Sequence, residues 1–200
     1  MRWDDLFDDL ESQIEHERGF GDVDLRAEEE RLRLGRLSVR DRLMALSEAH
    51  GKRSRYSVPI ALVTGETLAL RPETFGKDWV GGELGGRGPR SAYGLLPLAS
   101  IAGITLQRDA FGESIAPSAG QGEGPRLVDR IGIAFVLRDL CRRRRAVEVQ
   151  TVAGGLHGTI DRVGRDHLDL AVHERGVPRR DELVDHVRVV SFSALVVVRL

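Results

Sequence analysis

The chain has 200 residues, 41% of them apolar and 30% charged, with a formal net charge of −1, a composition that fits one or two small globular domains and excludes disordered, collagen-like and disulfide-rich classes. No apolar run reaches the roughly 18 residues of a membrane helix, and a single cysteine, Cys141, excludes an internal disulfide. Asp4, Asp5, Asp8 and Asp9 stand where a secretion signal would carry basic residues before an apolar block. A cytoplasmic location without membrane contact is expected.

The near-zero charge conceals a split. Residues 1–33 hold 12 Asp/Glu against 5 Arg, and the remainder holds 19 Asp/Glu against 25 Lys/Arg, so an acidic arm precedes a basic body. Within the arm, Trp3, Leu6, Phe7, Leu10 and Ile14 recur at helical spacing and form a narrow apolar stripe. Such a stripe either docks on its own chain or grips an unknown protein partner as a helix in a groove; Trp3, Leu6, Phe7 and Leu10 are the candidate partner-binding residues. Gly19-Phe-Gly21 separates the arm from the next helical stretch.

Residues 22–49 read as helix in two pieces. Glu28 to Leu32 lie where charge pairing with Arg31 and Arg33 supports the first piece, and Gly35 weakens continuity. Ser38-Val-Arg-Asp41 has capping spacing and opens the second piece, which Gly51 ends. Lys52, Arg53 and Arg55 come directly after it. Next come short β-rich runs, Ser57 to Gly65, Glu66 to Leu70, Gly76 to Val80 and Leu95 to Leu106, punctuated by glycine. The segment from Gly81 to Ser91 is read as a mobile surface loop between the third and fourth strands. It lacks the Gly-Lys-Ser/Thr ending of a phosphate-binding loop.

Pro117, Ser118, Gly120, Gly122, Gly124 and Pro125 give residues 107–126 the composition of a flexible linker. A helix is expected from Leu127 to Arg144, its end carrying Arg142, Arg143, Arg144 and Arg145. Three strands are expected, the first within 146–155 and the other two on either side of a turn at Val163-Gly164-Arg165-Asp166. In the second of these, Leu156, Gly158 and Ile160 share one face and His157, Thr159 and Asp161 the other. In the third, Leu168, Leu170 and Val172 are expected inward, with His167, Asp169 and His173 toward solvent. The closing run from Val187 to Leu200 is rich enough in valine to be buried on both faces.

Gly76-Lys-Asp-Trp-Val80 matches Gly164-Arg-Asp-His-Leu168, and Leu96-Pro-Leu-Ala-Ser-Ile101 matches Val190-Ser-Phe-Ser-Ala-Leu195. Leu43 and Leu46 likewise correspond to Leu137 and Leu140. These matches imply an internal duplication of one helix-plus-barrel unit. The expected fold class is therefore α+β: tandem small antiparallel β-barrels, each preceded by a helix, plus an N-terminal amphipathic helix. The boundaries are an acidic helical arm over 1–36, a first helix and barrel over 37–106, a flexible linker over 107–126 and a second helix and barrel over 127–200. A unit of roughly 60 residues is marginal alone; the two barrels are expected to dock on each other.

This arrangement of helix, strands, Gly-x-Asp turn and Ile- or Val-rich closing strand resembles the Sm-like or SH3-like small barrel. Through Trp3-Asp-Asp-Leu-Phe7, Asp161 to Leu170 and Val190 to Leu195, the chain is similar to an uncharacterised actinobacterial family sometimes labelled a Fis-type regulator. The resemblance implies two small barrels. Sm proteins hold RNA through an Asn in the third-strand turn and a basic residue plus Gly in the final turn. At those places this sequence has Asp169 or Gly81, and Ser191-Phe192 or Pro97-Leu98.

Two functions remain open. One is a non-enzymatic protein-interaction or regulatory module, with the N-terminal helix as its docking element. The alternative is RNA or DNA phosphate binding by Lys52, Arg53, Arg55, Arg142, Arg143, Arg144 and Arg145, since both clusters come after a helix and exceed what helix-end electrostatics needs. No nucleophile elbow, metalloprotease helix or paired-cysteine motif occurs, and no catalytic residue is assigned. His157, Asp161, His167, Asp169 and His173 would hold a metal only if they converged; a polar surface is the expectation, without metal or cofactor. A homo-oligomer is compatible with the sequence.

Overall fold

A computed structural model describes residues 25–51, 55–85, 92–117 and 127–200. The chain divides into two compact units between Ser38 and Val39. In the first, residues 25–36 form helix α1, whose exposed face carries the expected pairs Glu28–Arg31 and Glu30–Arg33. Exposed pairs of this kind add little to stability. The apolar stripe from Trp3 to Ile14 lies outside the described residues, as do Lys52 and Arg53.

The second unit, Val39–Leu200, is α+β. Helix α2 spans Val39–His50, α3 Arg108–Ile115 and α4 Ile133–Arg142. The strands are β1 Val58–Leu62, β2 Thr67–Phe75, β3 Trp79–Gly85, β4 Ala92–Pro97, β5 Ile101–Ile104, β6 Ala146–Thr151, β7 Gly154–Val163, β8 His167–Val172, β9 His186–Ser191 and β10 Leu195–Arg199. All ten pair antiparallel in one sheet of order β5-β1-β2-β3-β4-β10-β6-β7-β8-β9. The sheet does not close. Its two ends are β5 and β9.

The duplication is visible bond by bond. In each repeat four strands meander and the fifth returns, after a single 3-10 turn at Leu98–Ser100 or Phe192–Ala194, to pair with the first. The returning ladders match in register, Ile104 opposite Ile60 and Val198 opposite Val149, and each is interrupted by a bulge. Gly76 N–H bonds to Trp79 C=O at 2.9 Å, and Gly164 N–H to His167 C=O at 2.9 Å. Leu98 N–H reaches Asp78 C=O at 2.8 Å, and Phe192 N–H reaches Asp166 C=O at 2.8 Å. In both turns the ring of Trp79 or His167 fills the space that a Cβ on Gly76 or Gly164 would need.

The repeats are joined through β10. Leu195 and Val198 pack into the second repeat's core with Leu137, Val149, Ile160, Leu168 and Leu170, while Val196 and Val197 enter the first repeat's core with Leu43, Ile60, Leu70 and Leu96. All four are at most 2% exposed, which accounts for a run of four apolar residues where a one-sided strand would alternate. Ser100 Oγ lies 2.8 Å from Val196 C=O at the same joint. A second tie runs through the β2–β3 turn: Asp78 accepts the N–H of Ile133 at 2.8 Å, and Trp79 Nε1 donates to Ile131 C=O at 3.0 Å. Asp78 thereby caps α4 of the other repeat, where a carboxylate suits the helix dipole.

Four expectations change. The strands expected in separate domains run as one open sheet, because β10 pairs with both β4 and β6. The run from Val187 to Leu200 is two strands, since the 3-10 turn at Phe192–Ala194 divides it. Only the later strand is buried on both faces. The segment opening at Gly81 belongs to β3 as far as Gly85, and its glycines serve close packing: a Cβ at Gly82 would sit 2.0 Å from Arg71 C=O. Residues 108–115, expected as linker, are helical and tied to α2 by Arg42 bonding to Ser114 Oγ.

Gly82→Ala is expected to lower the unfolding free energy by about 1–3 kcal/mol, the usual cost of overpacking. Gly112→Ala, in α3 with nothing within 4 Å of its Cβ, is expected to raise it by about 0.5–1 kcal/mol through helix propensity. Urea unfolding of the two variants checks both signs.

Candidate functional site

The face of β7 that carries His157, Thr159 and Asp161 is largely covered: Thr159 is buried, and His157 and Asp161 are half-buried. The segment 174–185 folds over it. Arg179 is the clamp, its Nε and Nη2 donating to the two Asp161 carboxylate oxygens at 2.9 and 2.7 Å, with Nη1 on Asp181. Arg144 Nη1 adds a third bond to Asp161 at 3.0 Å. The two carboxylates hold the Arg179 guanidinium charged even more firmly than usual.

Beneath the clamp His173 is 4% exposed, contrary to its expected outward position. Its Nδ1 lies 3.0 Å from Glu174 C=O and its Nε2 3.0 Å from Thr159 Oγ1. A carbonyl only accepts, so Nδ1 donates to it, while Nε2 lies within hydrogen-bond reach of the threonine hydroxyl. His157 stands edge-on to it, ring centroids 5.5 Å apart. Both His157 ring nitrogens are shielded from solvent and lack a hydrogen-bond partner. Burial first, then His173 and Arg175, lower the pKa of His157 below its ordinary value. The two histidines back an open cleft of about 840 Å³ whose rim includes Arg175 and Asp185.

His167 and Asp166 pair with each other at 2.9 Å at the β7–β8 turn, away from this face. Among the described residues no three His, Cys, Asp or Glu side chains converge in a metal-binding group. Cys141 donates through its thiol to Asp161 C=O at 3.3 Å and packs at the edge of the second core.

The second arginine cluster is divided among carboxylates. Arg142 and Arg143 both bond to Asp139, at 2.7 and 2.6 Å, and hold its carboxyl below the ordinary range. Arg144 faces Asp161. Arg145 and Arg55 are exposed. Arg144 has φ 52°, a left-handed conformation at the end of α4, and Gly51 with φ 67° stands just past the end of α2. Part of the arginine run thus terminates a helix and anchors the clamp.

The remaining feature is the sheet edge at β9. Val187 and Val189 are 55% and 63% exposed, and among the described residues β9 pairs only with β8. Because Phe192 N–H points to β8 at Asp166 C=O, strand alternation turns the backbone N–H and C=O groups of Val187 and Val189 away from β8, toward the open side. Sequence reading missed this edge by treating 187–200 as one strand. The match of Leu96-Pro-Leu98 to Val190-Ser-Phe192 carried the signal, since a strand break in one repeat implies one in the other.

No family model, no curated protein and no solved structure matches this chain.

Two substitutions probe the clamp region. Since folding lowers the pKa of His157, its folded form takes up a proton only at lower pH than the unfolded chain does; the resulting stability is complete above about pH 6.5 and is lost as pH falls below it. His157→Gln is expected to flatten the loss between pH 6.5 and 5, read as the urea midpoint at each pH. Arg144→Gly and Arg144→Ala both remove the Asp161 contact, but glycine alone relieves the backbone. The glycine variant is expected to be the more stable by about 1 kcal/mol in the same assay.

Proposed function

We propose that this protein is a non-enzymatic protein-interaction module built on two docked small barrels of Sm-like or SH3-like kind, working in the cytoplasm. The barrel description is supported by the meander of four strands with a fifth returning to the first in each repeat. The observation that carries the function is the β9 edge, unpaired among the described residues, where Val187 and Val189 present apolar side chains beside outward-turned backbone donors and acceptors. Natural sheets blunt such edges with charge, proline or a covering element unless the edge is used. Strand addition is the mode of recognition this surface suits. In this proposal the amphipathic helix with Trp3, Leu6, Phe7 and Leu10 supplies a second docking element.

The nucleic-acid alternative has less support, because Asp139 and Asp161 take up three of the four clustered arginines. Backbone binding gains by neutralising phosphates with free cations.

Capture from cell lysate separates the two readings. The intact chain is expected to retain a protein through high salt and nuclease treatment, and to lose it when residues 1–21 are removed or Val187 and Val189 are both changed to Lys. Retention of nucleic acid alone, weakening steeply with salt and abolished by alanine at Arg142 to Arg145, would overturn the protein-interaction reading.

A further inference from the structure

The joint between the two repeats is a docking interface whose two halves recur at the ends of the sheet, unpaired among the described residues. Inside the chain β4 pairs with β10, Leu95 opposite Val198 and Gly94 opposite Arg199, and Leu200 N–H reaches Tyr93 C=O at 2.9 Å. The matched registers make β9 the counterpart of β4 and β5 the counterpart of β10. Val189 stands for Leu95, Val187 for Tyr93 and Ile104 for Val198.

Exposure differs between counterparts in the sense a missing partner would produce. Leu95 is 3% exposed and Val189 63%; Val196 is fully buried and Ala102 exposed; Leu195 and Val198 are buried where Ile101 and Ile104 are only partly so. Thr105 N–H bonds to Pro59 C=O on β1, so alternation turns the backbone groups of Ile104 and Leu106 outward, as those of Val187 and Val189 are at the other end.

We propose that a second copy of this chain adds its β5 to β9, head to tail, with Val189 opposite Ile104 and Leu106 N–H donating to Val187 C=O. The proposal rests on the protein-interaction reading and names the partner. The turn contact repeats as well. Asp78 and Trp79 hold the start of α4 inside the chain; their counterparts Asp166 and His167 are 84% and 44% exposed in their side chains, placed to meet the start of α2 at Val39 in the next copy. Such an interface is heterologous, so repetition gives a closed ring or an open filament.

The copied joint is weaker than the original. Ala194 replaces Ser100, removing the hydroxyl that lies 2.8 Å from Val196 C=O. Arg188 replaces Gly94, where a Cβ stands 3.1 Å from the partner strand's carbonyl, so β5 sits slightly further out. Assembly is therefore reversible and concentration-dependent.

The test uses the full chain in sedimentation equilibrium. Wild type is expected to show mass rising with concentration above one chain. Val189→Pro removes an outward N–H without touching the β8 ladder, and Ala102→Lys adds a charge on the β5 edge outside either core; each alone is expected to be a monomer with wild-type circular dichroism. Mixed in equal amounts, they are expected to form a species of two chains and no larger, because one intact joint survives between them. Self-association of Ala102→Lys alone would point to β9 pairing with itself and overturn the proposal. A wild-type monomer at all concentrations would also overturn it: together with a lysate protein captured through Val187 and Val189 it leaves the protein-interaction reading standing, and with no such protein that reading falls too.

Discussion

One strand belongs to two cores. β10 sends Leu195 and Val198 into one and Val196 and Val197 into the other, so neither repeat completes its interior without it. Burying four such side chains is worth roughly 1.5–3 kcal/mol each, a large share of the stability of a small domain. Each repeat lies in the size range where a single core is marginal. Sharing a strand gives both what neither has alone, and it fixes their geometry because the same backbone serves as the edge of two ladders.

The turns of the duplicated unit show how one scaffold diverges. Gly76 and Gly164 occupy the same place, each under the ring of the residue three positions on. Trp79 is 4% exposed and spends its N–H on Ile131, whereas His167 lies at the surface paired with Asp166. The inner turn became an anchor between repeats. The outer turn kept polar chemistry suited to water.

Much of the fold was legible because the punctuation is local. Glycine turns, the apolar run Leu195 to Val198 and the repeated Gly-x-Asp motif each declare a backbone conformation within a few residues, so the strands and the duplication could be read directly. What escaped depended on distant partners. Nothing near His173 announces that Arg179 will draw a segment across it by gripping Asp161. Nothing near Gly82 says that its strand approaches Arg71 too closely for a side chain. The linker composition of 117–125 spread over 108–115, although that stretch contains helix formers and only one glycine. The arginine cluster was visible as charge, and Asp139 stands within a turn of Arg142 and Arg143, but Asp161, the partner of Arg144, lies seventeen residues away.

A strand shared in this way also sets the order of events during synthesis. β1 to β5 leave the ribosome as a partial sheet whose core lacks Val196 and Val197 until the whole second repeat has been made. During that interval β4 presents Leu95 and an unpaired edge to other nascent chains. The long-range β4–β10 pairing closes late, and pairings across such sequence separation are slow. The molecule spends its early life with an exposed half-core, a stage at which the wrong strand from a neighbouring chain competes with the right one from its own.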